Sequence, residues 1–219
     1  MHINHEHYMA TQNTSPKREK AAQRPSQDIL LAHQLVQTYY PDLIVNNELP
    51  EAISKTIYRH IDYLRAGYSD LKHLQGKKIL DVACGSRAVP DNTEHQWDPW
   101  MSRLLTLLGA VPHGVDLFKQ TNESFESTVK DLVEEDALEC FETNSFDAYY
   151  LCGFPNRISL QRIHTGPIGW EDFRTNMENH LQRILKPGGV IIRSFTGRTE
   201  EFVLENLRLP GFATVTLTW

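Results

Sequence analysis

The chain has 219 residues, 40% of them apolar, and a net charge of −6, which supplies one domain of ordinary size with room for a small addition. The excess of acid argues against a dedicated nucleic-acid binder, whose footprint is basic, and no apolar run approaches the ~18 residues of a membrane span. Nor does the N-terminus have the charged-then-apolar order of a secretory signal. Cys84, Cys140 and Cys152 show neither metal-ligand spacing nor the even count of a disulfide framework. A soluble protein of the reduced cytoplasm, with no bound metal, is expected.

Residues 1–26 are polar and rich in His, Gln, Lys and Asn, so a disordered leader is expected there. His2, His5 and His7 in this stretch read as solvated. Residues 27–75 read as a helical extension. Ser26 is placed as the N-cap of a first helix with Leu31, Leu35 and Tyr39 on one face. Tyr40-Pro41 should end it, because the residue before a proline is pushed out of the helical region. Pro50 suits the first position of a second helix, which shows Ile53, Ile57, Ile61 and Leu64 at helical spacing. These helices are expected to cap one edge of a sheet or lie over the site, with Tyr39, Tyr40 and Tyr58 as half-buried packing.

From residue 76 to 219 short apolar runs alternate with helical patterns. Strands are expected at residues 79–82, 111–117, 127–132, 147–152, 190–195 and 212–217. Asp98-Pro99 reads as the cap and first residue of a helix with Trp100, Leu104 and Leu107 inward and Gly109 at its end. Trp170, Phe173, Met177, Leu181 and Ile184 mark a second helix face. Pro187-Gly188-Gly189 is a turn, and a further helix is expected at residues 199–207. Strands alternating with helices imply an α/β fold: a doubly wound, mostly parallel sheet with flanking helices.

Candidate site residues cluster at strand ends. The run Lys77-Lys78-Ile79-Leu80-Asp81-Val82-Ala83-Cys84-Gly85-Ser86 is an apolar strand ending in an acid and breaking into small residues, which lets a ligand approach the backbone. Gly114-Val115-Asp116-Leu117, Val129-Lys130-Asp131-Leu132, Ser145-Phe146-Asp147-Ala148-Tyr149-Tyr150 and Leu185-Lys186-Pro187-Gly188-Gly189-Val190-Ile191-Ile192 follow in order. Over residues 76–195 this series resembles the class I S-adenosylmethionine (SAM)-dependent methyltransferases. The resemblance implies a Rossmann-like fold, SAM as cofactor and methyl transfer to a small-molecule or protein acceptor. It implies cofactor contacts from Asp81, Ala83, Gly85, Ser86, Arg87, Asp116, Leu117, Asp131, Leu132 and Leu151. The chemistry agrees: a carboxylate accepts from both ribose hydroxyls at once, the role of Asp116, and an adenine amino group needs an acceptor, the role of Asp131. Asp136 competes for the adenine role; Asp131 is preferred because Val129 gives it a strand to end.

Two departures stand out. Where the family commonly has three glycines, this chain has Ala83, Gly85 and Arg87, the last bulky yet long enough to reach the SAM carboxylate. Asp81 and Asp116 are 35 positions apart, against about 20 in a dinucleotide-type unit. The extra length falls at residues 88–97, either a lid or acceptor-contact loop, with Trp97 toward the ligand and Trp100 in the core, or a neutral extension. After the fourth strand, Leu151-Cys152-Gly153-Phe154-Pro155-Asn156 does not match the Asn-Pro-Pro-Tyr-type motif of members that methylate base or glutamine amino groups. His164, Tyr150 and Asp172 lie where a general base could sit, and none is assigned as catalytic. Two rival readings stay open. A nicotinamide-dependent oxidoreductase shares the first strand and Asp116 but leaves Asp131 unexplained. A catalytically silent SAM-binding or interaction protein explains every motif.

Overall fold

A computed structural model describes residues 25–89, 92, 95, 97–152, 169–195 and 213–218. The expected leader through residue 24, His164 and the expected helix at 199–207 lie outside the described residues. The elements are α1 (Ser26–Tyr39), α2 (Glu51–Gly67), β1 (Lys78–Val82), α3 (Trp100–Leu107), β2 (Val111–Asp116), β3 (Glu126–Val129), β4 (Phe146–Cys152), α4 (Trp170–Ile184), β5 (Leu185–Phe195) and β6 (Ala213–Thr218). The six strands form one sheet in the order β3-β2-β1-β4-β5-β6, and every neighbouring pair is parallel. This is a Rossmann-like doubly wound fold. Strand order reverses between β1 and β4, and in open α/β sheets it is at such a reversal, beyond the C-terminal ends of the strands, that ligands bind.

The period of two along each strand divides the core between the two faces. Leu80, Val82, Tyr149, Leu151 and Ile191 pack with Phe173, Met177, Leu181 and Ile184 of α4. Ile79, Ala148, Tyr150 and Ile192 face the other way, against Ile57, Ile61 and Leu64 of α2, Leu35 of α1 and Trp100 and Leu104 of α3. The helices before β1 therefore form, with α3, a full layer over one face of the sheet. At its C-terminal end α2 comes so close to β5 that a Cβ on Gly67 would lie 2.6 Å from Ile192 Cδ1.

Several boundaries differ from expectation for identifiable reasons. Pro25, not Ser26, holds the N-cap position of α1, and no side chain caps it. The buried face of α1 is Asp28, Ala32, Leu35 and Val36: the three apolar residues pack in the core against α2, and Asp28 Oδ1 pairs with Arg65 Nη2 of α2 at 2.5 Å. Pro187-Gly188-Gly189 lies inside β5 as an irregularity in its pairing. Phe146 faces Leu185 while Ala148 faces Val190, and Gly188, at φ +74°, takes up the extra residues. The terminal strand runs parallel to β5, from Val190 opposite Ala213 to Phe195 opposite Thr218. Among the described residues no helix is long and apolar enough to cross a membrane.

Candidate functional site

The chain leaves β1 through two residues in the left-handed region, Ala83 at φ +58° and Gly85 at φ +82°. For alanine that conformation costs about 1 kcal/mol, which the surroundings must offset. They do so by tying the turn to β2. Cys84 N donates to Val115 O at 3.1 Å, and Gly85 N donates to Asp116 Oδ2 at 3.0 Å. Phe118 N donates to Asp116 Oδ1 at 3.1 Å. Gln120 Nε2 donates to Gly85 O at 2.6 Å. Gly85 is thus held at both its N–H and its C=O by residues at and just after the end of β2. Its third side is closed by the segment before α3: a Cβ on Gly85 would lie 2.2 Å from the Trp97 carbonyl oxygen. The added length between Asp81 and Asp116 therefore brings its own backbone over the glycine turn. Trp97 remains 52% exposed while Trp100 is 1% exposed, in the core as expected.

Beside the turn lies a buried ionic cluster. Asp98 does not cap α3; Pro99 holds the N-cap position and no side chain bonds there. The Asp98 carboxylate instead accepts from Arg103 Nη1 at 2.8 Å, from the Tyr40 hydroxyl and from Asn92 Nδ2 at 2.7 Å. Arg103 shares the inward face of α3 with Trp100, Leu104 and Leu107 and is fully buried. Its guanidinium forks onto Glu123, with Nε to Oε2 at 3.0 Å and Nη2 to Oε1 at 2.7 Å. Arg87 Nε stands 3.4 Å from Glu123 Oε1 and 3.9 Å from Asp98 Oδ2, its guanidinium 4.7 Å above the Tyr40 ring. Tyr39 lies 4.4 Å from the Arg103 guanidinium and shares a 3.2 Å hydrogen bond with Ser124. Two arginines thus balance two carboxylates, the condition under which buried charge is tolerable. Burial, helped by the bond to Asp98, raises the Tyr40 hydroxyl to about 12. The Arg87 guanidinium belongs to this cluster.

The remaining candidates fall in distinct places. Ser86 is buried; its hydroxyl donates to Lys119 O at 3.0 Å and accepts from Ala88 N at 3.0 Å. Leu117, directly after Asp116, is 51% exposed. β3 stops at Val129, so Asp131 lies two residues beyond the strand it was expected to end, where its Oδ1 accepts from Val133 N at 3.1 Å. Its competitor Asp136 pairs with Lys130 at 3.2 Å. The Leu132 and Leu151 side chains are in the core on the α4 face. Tyr150 is buried in the opposite layer, where its hydroxyl meets His60 Nδ1 at 2.9 Å. Burial pushes that histidine down to about 3, so this pair is neutral packing between α2 and β4. Asp172 is exposed in the first turn of α4, where a negative charge suits the helix dipole. Ala83, Gly85, Ser86, Arg87, Asp116 and Leu117 therefore share one region, and Tyr150 is apart from it. Arg103, Glu123 and Gln120 escaped the sequence reading. Only Arg103 left a signal, as a charge in phase with an apolar helix face.

Asp81 is 1% exposed and accepts from Ser102 Oγ of α3 at 2.6 Å, so its carboxyl lies under α3. Burial raises it to about 7, with the Asp116 charge adding and the Ser102 bond opposing. A carboxyl raised on folding makes the folded state bind more protons than the unfolded one between the two pKa values. Its stabilising protonation is complete below pH ~4 and is lost as pH rises through about 7. Asp81→Asn should remove this dependence, and above pH 8 it should unfold less readily than wild type by on the order of 2–4 kcal/mol. Urea titrations from pH 5 to 8.5 check it, and parallel pH profiles for the two proteins would disprove it.

No protein-family profile matches the chain, and neither does any curated protein. Among solved structures the chain is similar to the CurF ER cyclopropanase of curacin A biosynthesis, at TM-score 0.43 and 12% identity over 75% of this chain and 43% of that one. It is similar to the CurK enoyl reductase at 0.43 and 10%, over 79% and 46%. It is also similar to magnesium protoporphyrin IX methyltransferase (ChlM) from Synechocystis PCC 6803, solved with bound SAM, at 0.43 and 14%, over 86% and 84%. The chain spans less than half the length of the first two. The assignment of the fold rests on strand order and parallel pairing.

Proposed function

We propose that the chain binds SAM in the crevice at the ends of β1 and β2 and transfers its methyl group to a small-molecule or protein acceptor. The observation that carries this reading is Asp116. Its carboxylate accepts backbone N–H groups, from Gly85 at Oδ2 and from Phe118 at Oδ1, and keeps lone-pair capacity for a hydroxyl. A vicinal diol fits that remaining capacity, and the half-exposed Leu117 beside it offers apolar surface to a purine. The loop after β2 holds a buried polar atom without a hydrogen-bond partner, Gln120 Oε1, which fits a site built for a polar ligand. Arg87, balanced by Glu123 and Asp98, belongs to the cluster rather than to the methionine carboxylate. SAM supplies a methyl group on a sulfonium, an electrophile that needs alignment more than a strong base. The part of this chain is to grip the adenosine end so that the methyl group points at the acceptor.

One observation favours a second reading. An all-parallel sheet in the order found here is that of dinucleotide-binding folds, so a nicotinamide-dependent oxidoreductase is the alternative. Calorimetry with SAM, S-adenosylhomocysteine and NADH separates the two. Under the first reading S-adenosylhomocysteine binds, and Asp116→Ala loses about 2–4 kcal/mol, roughly 30- to 1,000-fold in affinity. Unchanged affinity in that variant would rule out the ribose role of Asp116, and binding of NADH alone would favour the oxidoreductase. Methyl-transfer assays on a metabolite and lysate panel then distinguish an enzyme from a silent binder.

A further inference from the structure

Tyr40, at the end of α1, lies 58 positions before Asp98, yet its hydroxyl bonds the Asp98 carboxylate and its ring supports Arg87. Asp98 adjoins Trp97, whose carbonyl closes the third side of Gly85; the Asp98 carbonyl itself would lie 3.2 Å from a Cβ there. Contacts therefore run without a break from the helical layer to the glycine turn: Tyr40 to Asp98, Asp98 and Trp97 to Gly85, Gly85 to Asp116. Tyr39 makes a parallel connection through Arg103 and Ser124 to the loop after β2. Both loops that bound the crevice are thus fastened to the same two residues at the end of α1.

We propose that Tyr40 is a positioning residue, which holds the Trp97–Asp98 backbone over Gly85 and so makes ligand binding at the glycine turn depend on the N-terminal helical layer. The physical reason lies in what the cluster leaves undecided. Trp97 and Asp98 sit outside regular structure, and among the described residues their backbone bonds are Asp98 N to His95 O at 3.3 Å and Trp100 N to Asp98 O at 2.7 Å. Side-chain bonds fix the rest, with Trp97 N donating to Asn92 Oδ1 at 3.0 Å and Asn92 Nδ2 reaching back to Asp98 Oδ1. Arg103 of α3 and the Tyr40 hydroxyl at the end of α1 both bond Asp98 Oδ2, while Asn92 holds Oδ1. A carboxylate bonded from two elements has one orientation, and the backbone attached to it has one place. With the Tyr40 hydroxyl removed, Arg103 still neutralises Asp98, so the fold survives while the segment gains freedom.

Tyr40→Phe keeps the ring over Arg87 and deletes only the bond to Asp98. Two amides report on the segment, Gly85 N–H held by Asp116 and Trp97 N–H held by Asn92. Hydrogen exchange by NMR on the ligand-free protein should show both exchanging on the order of tenfold faster in Tyr40→Phe, with amides of β4 and β5 unchanged. A general loss of stability would instead speed all of them together. S-adenosylhomocysteine should bind this variant about tenfold more weakly, the equivalent of one lost hydrogen bond to a charged group. The ligand half of the inference rests on the proposed SAM site; the exchange half does not. Wild-type exchange at Gly85 and Trp97 overturns the positioning role. Faster exchange with wild-type affinity overturns the coupling to ligand. Faster exchange in a protein that binds no S-adenosylhomocysteine at all upholds the positioning role and refutes the SAM reading instead.

Discussion

Arg103→Met is expected to lower the free energy of unfolding by about 3–5 kcal/mol, because it strands Asp98 and Glu123 as buried carboxylates with too few partners. Arg103 makes three bonds to these two residues, at 2.7, 2.8 and 3.0 Å, from a fully buried position. Arg87 cannot take over, since it stands 3.4 Å from Glu123 and 3.9 Å from Asp98 and is a third exposed. For a domain of this size the loss lowers the melting temperature by roughly 10 °C. Arg103→Lys, which keeps the charge but cannot fork onto Glu123, should fall between wild type and Arg103→Met. Urea unfolding of the three proteins gives the order. A loss below about 1 kcal/mol for Arg103→Met, the scale of an exposed pair, would show that water reaches the cluster.

Gly85→Ala carries two separate costs. The φ of +82° places a side chain in the left-handed region, at about 1 kcal/mol, and the new Cβ would stand 2.2 Å from the Trp97 carbonyl oxygen. That neighbour is backbone, attached to the Asp98 network, so relieving the contact disturbs the cluster as well; overpacking of this kind costs about 1–3 kcal/mol. A total loss of about 2–4 kcal/mol is expected. Gly188→Ala isolates the first cost, since Gly188 has a similar φ of +74° and nothing within 4 Å of its Cβ position. The difference between the two variants in thermal unfolding measures the contact. Equal losses would mean that the Trp97 segment does not lie against Gly85 in solution.

Much of the fold was legible in the sequence because it is written in local periods. Ile53, Ile57, Ile61 and Leu64 recur at helical spacing and are all buried. Phe173, Met177, Leu181 and Ile184 do the same on α4. The expected strand positions overlap all six strands of the sheet, and Asp116 closes β2 as its position implied. Period and turn chemistry act within a few residues, so a linear reading reaches them.

Tertiary structure decided where the polar side chains go. Asp98-Pro99 looks like a helix start, yet Asp98 serves Arg103 and Tyr40, because a buried guanidinium stabilises a carboxylate more than a helix N-terminus does. Tyr150 pairs with His60 from 90 positions away, and Asp81 turns under α3 to Ser102. β6 could be placed as a strand from its composition, but its parallel direction depends on the path of the chain before it. The sequence by itself determined which segments are helix and strand, and that acids and small residues gather at the ends of β1 and β2. Which charges neutralise one another, and which loop covers the glycine turn, depend on distances that exist only after the layers have packed, because in a low-dielectric interior a charge is bound to its nearest partner in space.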